Sequence, residues 1–260
     1  MISVVLAVHN EEGVLEACLN SVKHFADEII VVDGESSDTT VLIAKQHNAT
    51  VIKTTNKPNF HINKQMAIDA AKGDLILQLD ADEVVGSELA AYITKQHSQI
   101  QQTHYAGPVA WWLKRKNLFF ATYLKKGGQY PDPVIRLFVK GKARLPMKDV
   151  HEQMQVDGET GEAEGHLLHN SNPTLEAYIT KFNRYTSFKA TQLQEQGVTI
   201  SIKNWLLFTL YKPTTTFFSL FIRHKGFQDG LAGFLFAVLS GLHHTVSYLK
   251  LVEIQRKERT

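Results

Sequence analysis

Cysteine is nearly absent: the 260-residue chain has one, Cys18, which excludes a disulfide framework or a cysteine-rich zinc site. Its neighbours Val14, Leu15, Leu19 and Val22 mark it as a buried structural thiol rather than a nucleophile. A dominant charge of one sign is also missing. The net charge of +2 is too small for a protein built to cover nucleic-acid phosphates, so no nucleic-acid partner is expected. There is no G-x-G-x-x-G turn after the first apolar run and no phosphate-binding P-loop, which removes the main support for a dehydrogenase or a P-loop kinase. The opening run Met1–Val8 has no basic flank; it reads as a first strand rather than a signal peptide, and the cytoplasm is the expected compartment. Internal repeats and low-complexity tracts are lacking, and 43% apolar with 21% charged residues excludes a disordered or fibrous chain.

What is present is a regular alternation. Apolar runs of strand length fall at residues 2–8, 28–32, 50–53 and 74–79, with helix-period segments between them. Over residues 12–25, Val14, Leu15, Cys18, Leu19, Val22 and Phe25 mark one face. Asp38 is placed to cap a second helix. This pattern predicts an α/β fold with a mostly parallel sheet flanked by helices. Further strands are expected at 107–114, 134–139 and 165–169, and Asn172-Pro173 reads as the start of a helix carried on by Leu175, Tyr178, Ile179, Phe182 and Tyr185.

Ligands of such sheets bind outside the carboxyl ends of the strands. Here those ends carry Asn10-Glu11, Asp33-Gly34-Glu35, Asn56-Lys57 and Asp80-Ala81-Asp82. Two carboxylates one residue apart can face one hard cation, and Mg2+ or Mn2+ suits oxygen ligands shared with substrate phosphates. Such an ion would stabilise a departing diphosphate. Asp33 is placed to accept hydrogen bonds from a base or ribose.

Val8-His9-Asn10-Glu11-Glu12, Ile30 to Thr40, and Leu79-Asp80-Ala81-Asp82-Glu83 together resemble the family 2 glycosyltransferases, most closely the bacterial lipopolysaccharide-core glucosyltransferase branch. The likeness continues through Tyr130-Pro131-Asp132, Arg136-Leu137-Phe138, Val150-His151-Glu152 and the Gly226-to-Phe234 motif. His9 departs from the tyrosine more usual at its position. The resemblance implies a GT-A fold, a nucleotide-sugar donor such as UDP-glucose, inversion at the anomeric carbon, and a glycolipid or lipopolysaccharide-core acceptor. It implies a donor site of Val8, Asn10, Glu11, Asp33, Lys64, Asp80, Ala81 and Asp82, with Asp80 and Asp82 on the metal. His151 is a further candidate ligand.

Direct displacement needs a base for the acceptor hydroxyl. Among Glu152, Asp149 and Asp132, Glu152 is favoured. Tyr130, Asp132 and Arg136 are the candidate acceptor contacts, with Lys125 and Lys126 beside the same Gly/Pro turn; cations there suit a phosphorylated acceptor. Trp111 and Trp112 face opposite ways on a strand, so at most one lines a site.

Residues 200–260 hold eight Lys/Arg against three Asp/Glu, and 10 of the 25 aromatic residues. Residues 230–249 contain no charged side chain, long enough to span a bilayer, but Gly230, Gly233, Gly241 and His243-His244 argue for helices lying in a membrane interface. The expected layout is a catalytic domain over 1–199, its nucleotide-sugar half about 1–100 and its acceptor half about 101–199. A membrane-associating tail follows over 200–260. The whole would sit peripherally on the inner face of the cytoplasmic membrane. A metal-dependent nucleotidyltransferase and a non-catalytic sugar- or lipid-binding module are the alternatives.

Overall fold

The computed structural model of the chain describes residues 1–146 and 153–257. Its strands are β1 (Ile2–Val8), β2 (Glu28–Gly34), β3 (Thr50–Thr54), β4 (Leu75–Leu79), β5 (Glu83–Val85), β6 (Ala110–Phe119), β7 (Thr122–Tyr123), β8 (Asp132–Val139), β9 (Ala143–Arg144), β10 (Gln155–Val156) and β11 (Thr160–Asn172). Its helices are α1 (Leu15–Val22), α2 (Thr40–Gln46), α3 (Phe60–Ala70), α4 (Ser87–Ile100), α5 (Leu175–Glu195), α6 (Ile202–Leu206), α7 (Lys212–Phe218) and α8 (Gly230–Lys257).

The chain forms two compact units, Met1–Arg115 with Asp132–Asn170, and Lys116–Pro131 with Ser171–Thr260. This division differs from a break at residue 199. Residues 116–131 group with the helices because their turn hydrogen-bonds to the segment around Asp229: Lys126 N donates to the Asp229 carboxylate at 2.8 Å and Gly127 N to His224 O at 3.0 Å.

In the first unit the strands run β3-β2-β1-β4-β8-β6-β11-β5 across the sheet. β1 pairs in parallel with β2 and β4, and β2 with β3; β8 pairs antiparallel with β4 and β6, and β11 with β5. The sheet is therefore mixed: parallel where helices connect the strands, antiparallel in the β4-β8, β8-β6 and β11-β5 pairs. Residues alternate between its faces. Val4, Leu6, Val31, Leu75 and Leu77 join one apolar layer with Leu15, Cys18 and Leu19 of α1, Ala44 of α2 and Leu89 and Ile93 of α4. Val5, Ile30, Val32 and Ile76 join the other with Ala67 and Ile68 of α3. Both faces are covered, which is why these strands are unbroken apolar runs. Trp111 is buried in the first layer and Trp112 packs, partly buried, against the second.

Local signals shift by a residue or two. Asp38 accepts from Thr40 N at 3.0 Å, but Thr39 occupies the cap position of α2. Asn172 closes β11 instead of capping a helix; Thr174 caps α5, accepting from Ala177 N at 3.1 Å.

The second unit is helical. From Ile202 to Arg223 the chain stays helical, with π-helical turns at Leu207–Tyr211 and Ser219–Arg223. α8 packs tightly against its neighbours. A β-carbon at Gly241 would lie 2.8 Å from Pro213 O, and one at Gly233 closer still to Gly226 O, so only glycine allows these approaches. Phe208 stacks on Tyr248 at 5.2 Å over a small core with Ala190, Leu193 and Leu251. Among the described residues Gly226–Lys257 is the one helix long and apolar enough to cross a membrane, by length and composition.

Candidate functional site

In the first unit the carboxyl ends of β2, β1 and β4 lie side by side. The register sets Val8 beside Asp33 and Leu6 beside Leu79, so Asp33 and Asp80 flank β1 about 10 Å apart, two strand spacings. Asp33 is buried and accepts from Ser36 N at 3.2 Å. Gly34 follows where the chain is crowded: a β-carbon there would lie 3.1 Å from Asn56 Cα and 3.3 Å from Asn63 Nδ2.

The loops after β1 and β2 are laced together. Asn10, at φ 55°, accepts from Ser37 N at 2.8 Å through Oδ1 and donates its own N–H to Ser36 Oγ at 2.9 Å. Glu11 N donates to Thr40 Oγ1, and Glu12 accepts from Thr39 N. The expected donor residues Asn10 and Glu11 thus contribute bonds that tie the loop after β1 to the loop after β2. His9 contacts Gly34 O through Nδ1 at 2.7 Å, which ties its ring to the end of β2.

Asp80 lies in a buried network of alternating charge. Its Oδ1 pairs with Lys64 Nζ and its Oδ2 with Arg136 Nη2. Arg136 also bonds Gln78 Oε1 and lies 3.3 Å from Glu83 Oε1. Glu83, fully buried, lies 3.4 Å from Arg115 and accepts from Asp80 N at 2.9 Å through Oε2. Arg115 ends the chain of pairs on Asp132 at 2.6 Å. Among the described residues this run of ion pairs joins three cations and three carboxylates. Burial alone would raise the Asp80 carboxyl pKa, but Arg136 and Lys64 hold it well below the usual carboxylate range. Burial lowers the Lys64 ammonium pKa against the pull of Asp80. For Arg136, Asp80 and Glu83 outweigh burial and keep the guanidinium charged.

Asp82 turns to a different partner. His169 Nε2 lies 3.3 Å from its Oδ2, while Asn170 N donates to Asp82 O at 2.8 Å. Ala81 between the two aspartates is buried. A carboxylate and an imidazole at this separation fit part of the shell of Mn2+ or Mg2+, with phosphate oxygens completing it. Among the described residues no three His, Cys, Asp or Glu side chains enclose an ion by themselves. Both Asp80 oxygens are already engaged by cations, which leaves Asp82 the better-disposed of the two aspartates.

Other expected residues lie elsewhere. Arg136, expected among the acceptor contacts, is buried on Asp80, and Asp132 is paired with Arg115. Tyr130, preceding a cis proline, belongs to the helical unit. Glu152, His151 and Asp149 lie outside the described residues. Sequence reasoning missed Gln78, Glu83, Arg115 and His169. His169 is brought in by the antiparallel register that sets it opposite Glu83, a pairing that no local pattern announces. It also missed Asn63, whose buried Oδ1 has no hydrogen-bond partner among the described residues while its Nδ2 donates to Thr55 O at 3.0 Å.

Residues 3–154, more than half of the chain, match the sequence profile of glycosyl transferase family 2. An uncharacterized glycosyltransferase of Rickettsia typhi is 30% identical over 99% of this chain and 89% of its own length. The lipopolysaccharide core biosynthesis glycosyltransferase LpsC of Rhizobium meliloti is 27% identical over 94% of this chain and 89% of its own. Among solved structures, residues 1–349 of S. aureus TarS superpose with a TM-score of 0.48 at 15% identity, covering 97% of this chain and 88% of that one.

Proposed function

The chain belongs to glycosyl transferase family 2, and from that premise we propose that it transfers glucose from UDP-glucose to a glycolipid acceptor of the lipopolysaccharide-core type, with inversion. Family membership makes it a glycosyltransferase with a nucleotide-sugar donor and sets aside nucleotidyl transfer and a non-catalytic binding role. The LpsC likeness supports the acceptor class.

The observation that carries the donor reading is the juxtaposition of Asp33, Lys64, Asp80 and Asp82 at the carboxyl edge of the parallel strands. Asp33 accepts from the nucleoside, and the Lys64 ammonium faces the diphosphate. Asp82 and His169 would hold a divalent cation; when bound, it offsets the negative charge growing on the leaving diphosphate. Glu152 takes the proton from the acceptor hydroxyl as that oxygen bonds to the anomeric carbon. The bond to the diphosphate breaks on the opposite face and the nucleoside diphosphate leaves. Tyr130 is a further acceptor contact. Docking is peripheral, on the cytoplasmic face of the membrane, through residues 202–250, where Ile202, Trp205, Leu210, Tyr211 and Phe218 are all more than half exposed.

UDP-glucose with Mn2+ should raise the melting temperature, since a ligand that binds only the folded state stabilises it. Asp82→Asn and His169→Ala should each abolish the Mn2+-dependent part of that rise. Glu152→Gln should keep the rise and lose transfer. No shift with any nucleotide sugar would overturn the donor reading, and near-normal turnover of Glu152→Gln would remove that residue as base.

A further inference from the structure

Resting on the membrane reading above, we infer that two loops of the helical unit, residues 124–129 and 223–229, together form a binding site for the phosphate groups of anionic lipids. The Gly226-Phe227-Gln228-Asp229 turn is the element around which it is built.

Asp229 braces the two loops. Its carboxylate accepts from Lys125 N at 3.1 Å and from Lys126 N at 2.8 Å, and Gly127 N donates to His224 O at 3.0 Å. A β-carbon at Gly128 would sit 3.8 Å from Leu220 and 3.9 Å from His224, so the loops are in direct contact. The acid is spent on backbone amides, not on side-chain ammonium groups. Lys125, Lys126, Arg223 and Lys225 are all exposed. None of the four forms an ion pair with a carboxylate among the described residues. Four exposed cations without a carboxylate partner among the described residues, on two adjoining loops, make an anion-seeking surface; ordinary surfaces intersperse the signs.

Apolar surface adjoins these cations. Phe221 lies between Phe217 at 5.3 Å, Phe234 at 5.7 Å and Phe227 at 6.3 Å, and the rings of Phe218 and Phe227 are about half exposed, as are Ile222 and Leu231. An apolar patch rimmed by cations marks an interaction surface. Aromatic side chains beside lysine and arginine suit the boundary between headgroups and acyl chains. Charge complementarity selects an anionic bilayer as the occupant: each cation near such a surface strengthens binding about fivefold.

The test is co-sedimentation of the full chain with phosphatidylcholine vesicles, with and without phosphatidylglycerol, across ionic strength. Wild-type protein should prefer the anionic vesicles, with affinity falling as salt rises. Replacing Lys125, Lys126, Arg223 and Lys225 together by Ala should weaken that binding on the order of a hundredfold or more while leaving the UDP-glucose thermal shift intact. Asp229→Asn separates a built site from diffuse attraction. It removes a negative charge, so diffuse attraction predicts tighter binding; loss of the brace predicts weaker binding.

Quadruple-variant binding equal to wild type, tighter binding by Asp229→Asn, or displacement by millimolar inorganic phosphate would overturn the site and leave membrane association standing. Failure of the wild type to bind either vesicle would overturn both. The thermal shift, measured without vesicles, reports on the donor reading separately.

Discussion

Glu83 is the hinge of the charge network, and replacing it by Gln tests whether that network is balanced as the geometry implies. The substitution keeps shape and removes the one fully buried negative charge of the three in the network, leaving Arg136 and Arg115 short of an anion at 3.3 and 3.4 Å. Breaking one side of a buried ion pair costs about 3–5 kcal/mol. Arg136 retains Asp80 and Arg115 retains Asp132, so the lower end applies. A loss of about 3 kcal/mol lowers the melting temperature by about 6–12 °C for a domain of this size. Thermal unfolding followed by circular dichroism reads this directly. A companion variant, Arg136→Met with Glu83→Gln, removes one charge of each sign. Its destabilisation should fall short of the sum of the single changes by about 1 kcal/mol or more, because the residues interact. A drop under about 2 °C for Glu83→Gln, or strict additivity of the pair, would refute the reasoning.

Further outcomes follow from other sites. Burial, with Glu83, Asp80 and Asp82 nearby, pushes the Cys18 thiol pKa well above its ordinary value; native protein should therefore resist thiol reagents at pH 8 and react promptly only in denaturant, as a chromogenic disulfide assay would read. Gly233→Ala forces a β-carbon onto Gly226 O, and the helical unit should lose about 1–3 kcal/mol, measurable by urea titration. Acid stability should depend on Asp80: its carboxyl pKa is lower folded than unfolded, so its contribution is complete above the unfolded value of about 4 and fades as pH falls through the folded one. With chelator present, Asp80→Asn should unfold more easily at neutral pH and show a flatter stability profile below pH of about 4; an acid limb identical to wild type would contradict the network's role in holding that charge.

The alternation of apolar runs and helix-period segments was enough to locate β1, β2, β3 and β4 and the helices between them. Each is a local pattern: a strand buried on both faces must be continuously apolar, and a helix on that sheet must repeat near 3.6 residues. The same reasoning placed Asp33, Asp80 and Asp82 at the carboxyl ends of their strands, since strand ends are visible in the chain. Helix starts were less exact, because Asp38, Thr39, Asn172 and Thr174 are all able to cap and local bonding chooses among them.

Long-range partners needed the folded protein. Lys64 is 16 residues from Asp80 and Arg136 is 56, and only the packing of α3 and β8 against β4 makes them neighbours. Arg136 looks like a surface cation beside a Gly/Pro turn, yet β8 carries it inward onto Asp80. His169 reaches Asp82 through the antiparallel pairing of β11 with β5. The amino-acid order by itself determined the strands β1 to β4 with the helices between them and the carboxylates that follow the strand ends, because those depend on neighbours a few residues away. Which cation meets which carboxylate, and which turn braces which loop, was decided by strand order and register, because that contact energy exists only between residues brought together from distant parts of the chain.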